Sequence, residues 1–155
     1  MKIMYTKYVP YSPSDVLSAY FDLEHIAHVH PATFGKARVL GTKDNAVVWE
    51  LESPRYLGIA FRIVINQEYL PPDRIRARVT KGIFRGTEVL TLLQPRGTGT
   101  FIEETYAVPL PDWPVLGSLA RTWLCRKVDE IWDEDLAVGL PRGGWPGFPA
   151  ESSPT

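Results

Sequence analysis

The sequence predicts an α+β domain in which a curved, seven-stranded antiparallel sheet wraps a long C-terminal helix. Three observations carry this expectation. From Gly35 to Val108 the chain reads as short strand-like stretches separated by turn signals. The links between those stretches are short, which favours neighbouring antiparallel strands over crossovers. A helix-compatible segment beyond residue 112 then supplies the element against which one apolar sheet face can be buried.

Taken in order, "IMYTKYVP" alternates as a first strand and ends at Pro10. "YSPSDVLSAYFDL" announces a helix, with Ser12 as N-cap, Pro13 at the first helical position and Asp15 three residues after the cap. This helix must end by Pro31, because the residue before a proline is pushed out of the helical region. The remaining strands are "KARVLGT", "AVVWELES", "LGIAFRIVINQEYL", "RIRARVT", "EVLTLLQ" and "TFIEETYAV". Asp44-Asn45, Ser53-Pro54, Pro71-Pro72-Asp73, Gly82 to Gly86 and Pro95 to Gly99 separate them. The last helix starts near Asp112 or Pro114 and runs to about Val138, closed by Gly139 and Pro141. Residues 1–140 thus form one ligand- or metal-binding domain, and the Pro-, Gly- and Ser-rich residues 141–155 an irregular tail.

Composition narrows the function. The 155 residues hold 17 basic and 18 acidic side chains, for a net charge of -1, with 45% apolar and 12% aromatic residues. No basic block supports a nucleic-acid or anionic-membrane partner, and no apolar run is long enough to span a bilayer. Met1–Pro10 lacks the apolar core of a signal peptide. The lone Cys125 excludes an internal disulfide and suits a cytoplasmic location. It also excludes an iron–sulfur cluster held within this chain, which needs at least two cysteines.

"FDLEHIAHVHP" contains all three histidines of the chain, His25, His28 and His30. Two histidines and a carboxylate make the facial triad of non-haem Fe(II) sites; the plainer alternative is a polar cluster at a helix end. On an ideal helix His25 and His30 lie about 140° apart, so they converge only if the helix breaks between them, as Pro31 encourages. A third ligand has to come from elsewhere. On a helical wheel of the last helix, with Val128 as origin, Leu124, Cys125, Ile131 and Trp132 define the buried stripe. Asp135 falls about 20° from its centre, whereas Asp129, Glu130, Asp133 and Glu134 fall on or near the solvent side. A carboxylate on a buried stripe needs a partner or a metal. Arg121 shares the stripe. Trp49, Phe61, Phe84 and Trp123 are the aromatic candidates for lining an apolar cavity between sheet and helix.

The element order, with "YVPYSPSDVLSAYFDLEH" at its start, resembles the helix-grip fold of the START and birch-pollen-allergen superfamily across residues 1–138. "FDLEHIAHVHPATFG" resembles the iron-binding segment of Rieske non-haem iron oxygenases, in particular the vanillate-demethylase and dicamba-monooxygenase branch. That resemblance implies His25 and His30 as iron ligands and Asp22 as the bridging aspartate. "WDEDLAV" resembles the family's C-terminal Glu-Asp pair, which implies Asp135 as the third ligand. The Rieske domain itself is missing from the chain, so the match is to a catalytic domain standing alone. Without it, Asp22 is expected to orient a histidine ring, and His28 to be a pocket or surface group rather than a fourth ligand.

The leading expectation is therefore a mononuclear Fe(II) oxygenase acting on a hydrophobic, ring-containing small molecule. Its electrons would come from an external ferredoxin or reductase, or from the substrate. The competing expectations are a START-type carrier, and a Zn(II) hydrolase, lyase or isomerase of the same fold.

Overall fold

The computed structural model of the chain describes residues 1–55, 57–111 and 114–140. Its elements are β1 (Lys2–Val9), α1 (Pro13–Phe21), α2 (Leu23–Val29), β2 (Lys36–Lys43), β3 (Ala46–Glu52), β4 (Arg62–Leu70), β5 (Arg74–Gly82), β6 (Glu88–Arg96), β7 (Gly99–Ala107) and α3 (Pro114–Val138). The strands form one antiparallel sheet in the order β1-β7-β6-β5-β4-β3-β2. This is the predicted seven-stranded sheet with its C-terminal helix. Because β1 and β2 lie at opposite edges, the α1–α2 connection has to cross the sheet; α1 packs on β6 and β7, and α2 on β2.

The caps behave as their residue types dictate. The Asp15 N–H donates to Ser12 Oγ at 3.2 Å, and the Ser12 hydroxyl donates back to the Asp15 carboxylate at 2.7 Å. Gly139 takes φ 89° and donates its N–H to the Asp135 carbonyl at 2.8 Å, which closes α3 as predicted. Pro141 and the tail lie outside the described residues.

Two expectations about element boundaries need correction. The first helix is not continuous: Asp22, at φ -92° and ψ 99°, ends α1 and starts α2. Its side chain accepts the His25 N–H at 3.0 Å, a local bond that competes with helix continuation. The strand expected from Leu57 starts only at Arg62, because Leu57 and Gly58 take φ 50° and 82° and turn the chain outward.

Strand registers set the inner face of the sheet. Tyr5, Glu104, Thr91, Ile75 and Tyr69 are successive cross-strand partners, and Ile3, Tyr106, Val89, Ala77 and Gln67 form the neighbouring row. Side chains alternate along a strand, so both rows share one face. There they meet α1 and the C-terminal half of α3 in a core that includes Val16, Leu17, Trp49, Ile102, Val128 and Trp132. Lys7 on β1 pairs with Asp129 and Asp133 at 3.0 and 2.8 Å, and the Tyr5 hydroxyl donates to Asp129 at 2.6 Å, so α3 is fastened along β1. The N-terminal half of α3 stands away from the sheet. Arg121 is exposed there rather than on a buried stripe, and Trp123 is 58% exposed. Among the described residues no helix is long and apolar enough to cross a membrane.

The two halves of α3 should respond differently to truncation. Trp132→Ala removes a side chain only 3% exposed and should lower unfolding stability by about 3–5 kcal/mol. Trp123→Ala should change it by no more than about 0.5 kcal/mol. Urea unfolding of both variants checks this; equal losses would contradict the packing described.

Candidate metal and ligand site

The break at Asp22 and the stop before Pro31 make α2 a short helix whose two ends carry the site. His25 sits in its first turn, and His30 leaves it at φ -113° and ψ 49° while its N–H still donates to the Ile26 carbonyl at 3.2 Å. His30 thus departs from helical geometry without becoming fully extended, and this is enough for convergence. The ring centroids of His25 and His30 lie 5.9 Å apart, with planes at 84°. From α3, Asp135 projects between them. Its Oδ1 lies 2.7 Å from His25 Nε2 and 2.9 Å from His30 Nε2. Asp135 is 5% exposed and His30 2% exposed, so this polar cluster is shut off from bulk water.

Glu134 completes it. Its Oε2 lies 2.7 Å from His30 Nδ1, so both ring nitrogens of His30 face carboxylate oxygens. Carboxylates only accept, so this arrangement favours the ring with both nitrogens protonated, an imidazolium. Burial disfavours that charge, but the hydrogen bonds to Asp135 and Glu134 outweigh burial and hold the His30 pKa above its ordinary value. Burial likewise works against the Asp135 carboxylate; the hydrogen bonds from His25 and His30 overcome it and leave its pKa lowered.

The donor set fits a metal ion. One ligand atom each from His25, His30 and Asp135 lies within 4.8 Å of the others. Ligands about 2.1 Å from a shared ion sit about 3 Å apart when adjacent, close to the two nitrogen–oxygen separations. Glu134 would then hold the outer nitrogen of a ligating His30, a recurrent arrangement at such centres. Glu134 was expected near the solvent side. Its side chain is indeed 41% exposed, yet the carboxylate reaches back to His30. Adjacency to Asp135 was the signal available in the sequence.

The other candidates stand apart from the cluster. Asp22 caps α2 through the His25 backbone N–H and so fixes where α2 starts, not how a ring is turned. His28 is exposed and is no part of the cluster.

The rings of His25 and His30 and the Asp135 side chain also line a cavity of about 250 Å³. Its walls are mostly apolar, with Trp49, Ile65, Ile75, Val89, Val128 and Trp132 among them. Trp49 is the one sequence candidate that lines it. Phe61 and Phe84 are 41% and 51% exposed, on the outward-turned β3–β4 and β5–β6 loops, and Trp123 lies on the exposed half of α3.

Comparison with known proteins bears on the fold. No family model and no curated protein matches the sequence. Among solved structures, a START superfamily protein from Mycobacterium smegmatis superposes with TM-score 0.71 at 16% identity, over 88% of this chain and 95% of that one. The Zhui aromatase/cyclase from Streptomyces sp. R1128 gives 0.65 at 15%, over 88% and 89%. TTHA0849 from Thermus thermophilus gives 0.66 at 20%, over 88% and 92%. At these identities the likeness is one of fold, and none of the three supports the resemblance to Rieske oxygenases. The chain has the helix-grip fold of START-type structures.

Proposed function

We propose that the protein binds an apolar, ring-containing small molecule in the cavity beneath α3, with a divalent metal ion held at one end by His25, His30 and Asp135. The observation that carries this reading is one cavity with mostly apolar walls and a largely buried three-donor cluster in its lining. Its size is appropriate: an apolar cavity of about 150 Å³ already takes up benzene, so about 250 Å³ admits a compound of one or two fused rings. That one structure of this fold is named an aromatase/cyclase and another a START protein makes a ring compound a natural occupant.

His25 and His30 would hold the ion through Nε2 and Asp135 through its carboxylate, with Glu134 orienting His30. The bound ion supplies a Lewis acid with open coordination positions, and Fe(II) extends this to oxygenase chemistry. The residues around it exclude water and present the ligand's edge to the cluster. The convergence of His25, His30 and Asp135 keeps the Fe(II) oxygenase as a second reading. Electrons would then come from a ferredoxin or reductase, or from the ligand. Oxygen uptake that needs both Fe(II) and a bound ring compound separates it from a Zn(II) site or a plain carrier.

Binding is tested first. Thermal shift against compounds of one to three rings should find ligands that raise the melting temperature, since binding to the folded state alone stabilises it. Ala77→Leu, which fills the cavity wall, should abolish the shift. A complete lack of ligands in such a set would overturn the reading.

The metal makes a separate prediction with a sign. The raised pKa of His30 gives the metal-free protein stability that is present below about pH 6.5 and lost as pH rises through the folded-state value. A metal must displace the Nε2 proton, so its stabilisation grows over the same interval. Melting temperature should therefore fall from pH 6 to pH 8.5 without metal, while the increment from Zn(II) or Fe(II) rises. His25→Ala, His30→Ala and Asp135→Ala should each remove that increment, and His28→Ala should keep it. No increment with any first-row divalent ion would leave the carrier function alone.

A further inference from the structure

The cavity has a second polar feature, distant in sequence from the histidines. Glu104, in β7, is 4% exposed and lines the cavity. Its Oε1 accepts from the Tyr20 hydroxyl at 2.5 Å and its Oε2 from the Tyr106 hydroxyl at 2.5 Å. No cation pairs with it among the described residues. Burial pushes its carboxyl up from the usual range, against the pull of the two phenols. Thr91, its register partner on β6, is 2% exposed and lines the same cavity. The Gln67 amide donates to the Tyr20 carbonyl at 2.7 Å and holds that residue in place.

We propose that Glu104, with Tyr20 and Tyr106, is a second polar anchor of the cavity, which recognises an uncharged carbonyl or hydroxyl group on the ring compound and disfavours a carboxylate. This rests on the cavity being the ligand site proposed above.

Counting hydrogens gives the reason. With Glu104 protonated, the trio holds three O–H groups but only two oxygen–oxygen hydrogen bonds. One donor is left over. Both phenols donate to Glu104 in the arrangement seen, so a proton on either carboxyl oxygen turns one phenol into an acceptor and frees its O–H, and Tyr20 and Tyr106 both line the cavity. A ligand carbonyl accepts from the freed O–H. With Glu104 ionised, all the trio's donors are engaged and the carboxylate keeps free lone pairs, which accept from a ligand hydroxyl. In neither state does the trio offer a positive charge to a ligand carboxylate, and the His30 charge is already matched by Asp135 and Glu134, so the carboxylate's desolvation goes uncompensated. A purely structural trio would need no carboxyl here; a threonine or an apolar side chain would fill the strand position more stably.

The probes are naphthalene, naphthol, acetylnaphthalene and naphthoate, titrated by tryptophan fluorescence into the full chain without added metal. Naphthol and acetylnaphthalene should bind about five- to tenfold tighter than naphthalene, as one neutral hydrogen bond contributes, and naphthoate should bind more weakly than either. Glu104→Gln, which still hydrogen-bonds, should retain the preference. Tyr20→Phe, Glu104→Met and Tyr106→Phe combined, which removes every O–H of the trio, should bring naphthalene and acetylnaphthalene to within about twofold of each other. Should the combined variant fail to fold, the unaltered chain's preference for acetylnaphthalene over naphthalene decides alone. Naphthalene binding without any preference, or a preference that survives the combined variant, overturns the anchor and leaves the cavity reading intact. No binding of any probe overturns both.

Discussion

A carboxylate shut off from water has to be partnered, and the protein is arranged around one such group. Asp135 projects from the buried stripe of α3, and its only compensation among the described residues comes from the imidazoles of His25 and His30. Both histidines belong to one short helix, α2, so the contact clips α2 to α3 over the inner face of the sheet. Removing either imidazole leaves a buried charge short of a partner. The same bridge that orders the metal-free protein therefore keeps three metal-binding donors within one ion's reach.

This clip decides what the rest of the fold can do. The sheet curves around the C-terminal half of α3, which Lys7 and Tyr5 hold along β1 through Asp129 and Asp133. With α3 held at one edge and α2 at the other, the middle strands keep a space above them. Its lining is largely apolar, with Glu104 and the histidine cluster as its polar interruptions. The charges at the histidine cluster are paired with one another, so a ligand's ring system is accepted for its apolar area and its orientation set by those few polar groups.

Much of this was legible in the sequence because the signals were local. Turn residues delimited every strand except the start of β4, and Ser12-Pro13 and Gly139 bounded the helices. The wheel placed Asp135 correctly since Val128 and Trp132, two turns and one turn before it, fix which side of α3 is buried. The same wheel failed for Arg121, because it assumes burial along the whole helix and the sheet covers only the later turns. The break at Asp22 was missed: Asp22 follows a helical pattern without interruption, and only a side chain bonding back to the His25 N–H reveals it. Glu104 was missed for a different reason. It shares the inward phase of Thr100, Ile102 and Tyr106, but an acid in an exposed-looking "EET" run gives no hint that its partners are two tyrosines from α1 and its own strand.

The central claim is that one carboxylate is shared by His25 and His30 and that these nitrogens are the ones a metal would take. Long-range proton–nitrogen NMR of the histidine rings tests it directly, with His28→Ala resolving the assignment. At neutral pH the metal-free chain should show His30 protonated on both nitrogens. Adding Zn(II) should remove the Nε2 proton of His25 and His30 and shift those two nitrogens, with His28 unmoved. A neutral His30 in the metal-free chain, or Zn(II) shifts at His28 instead of the other two, would contradict the account.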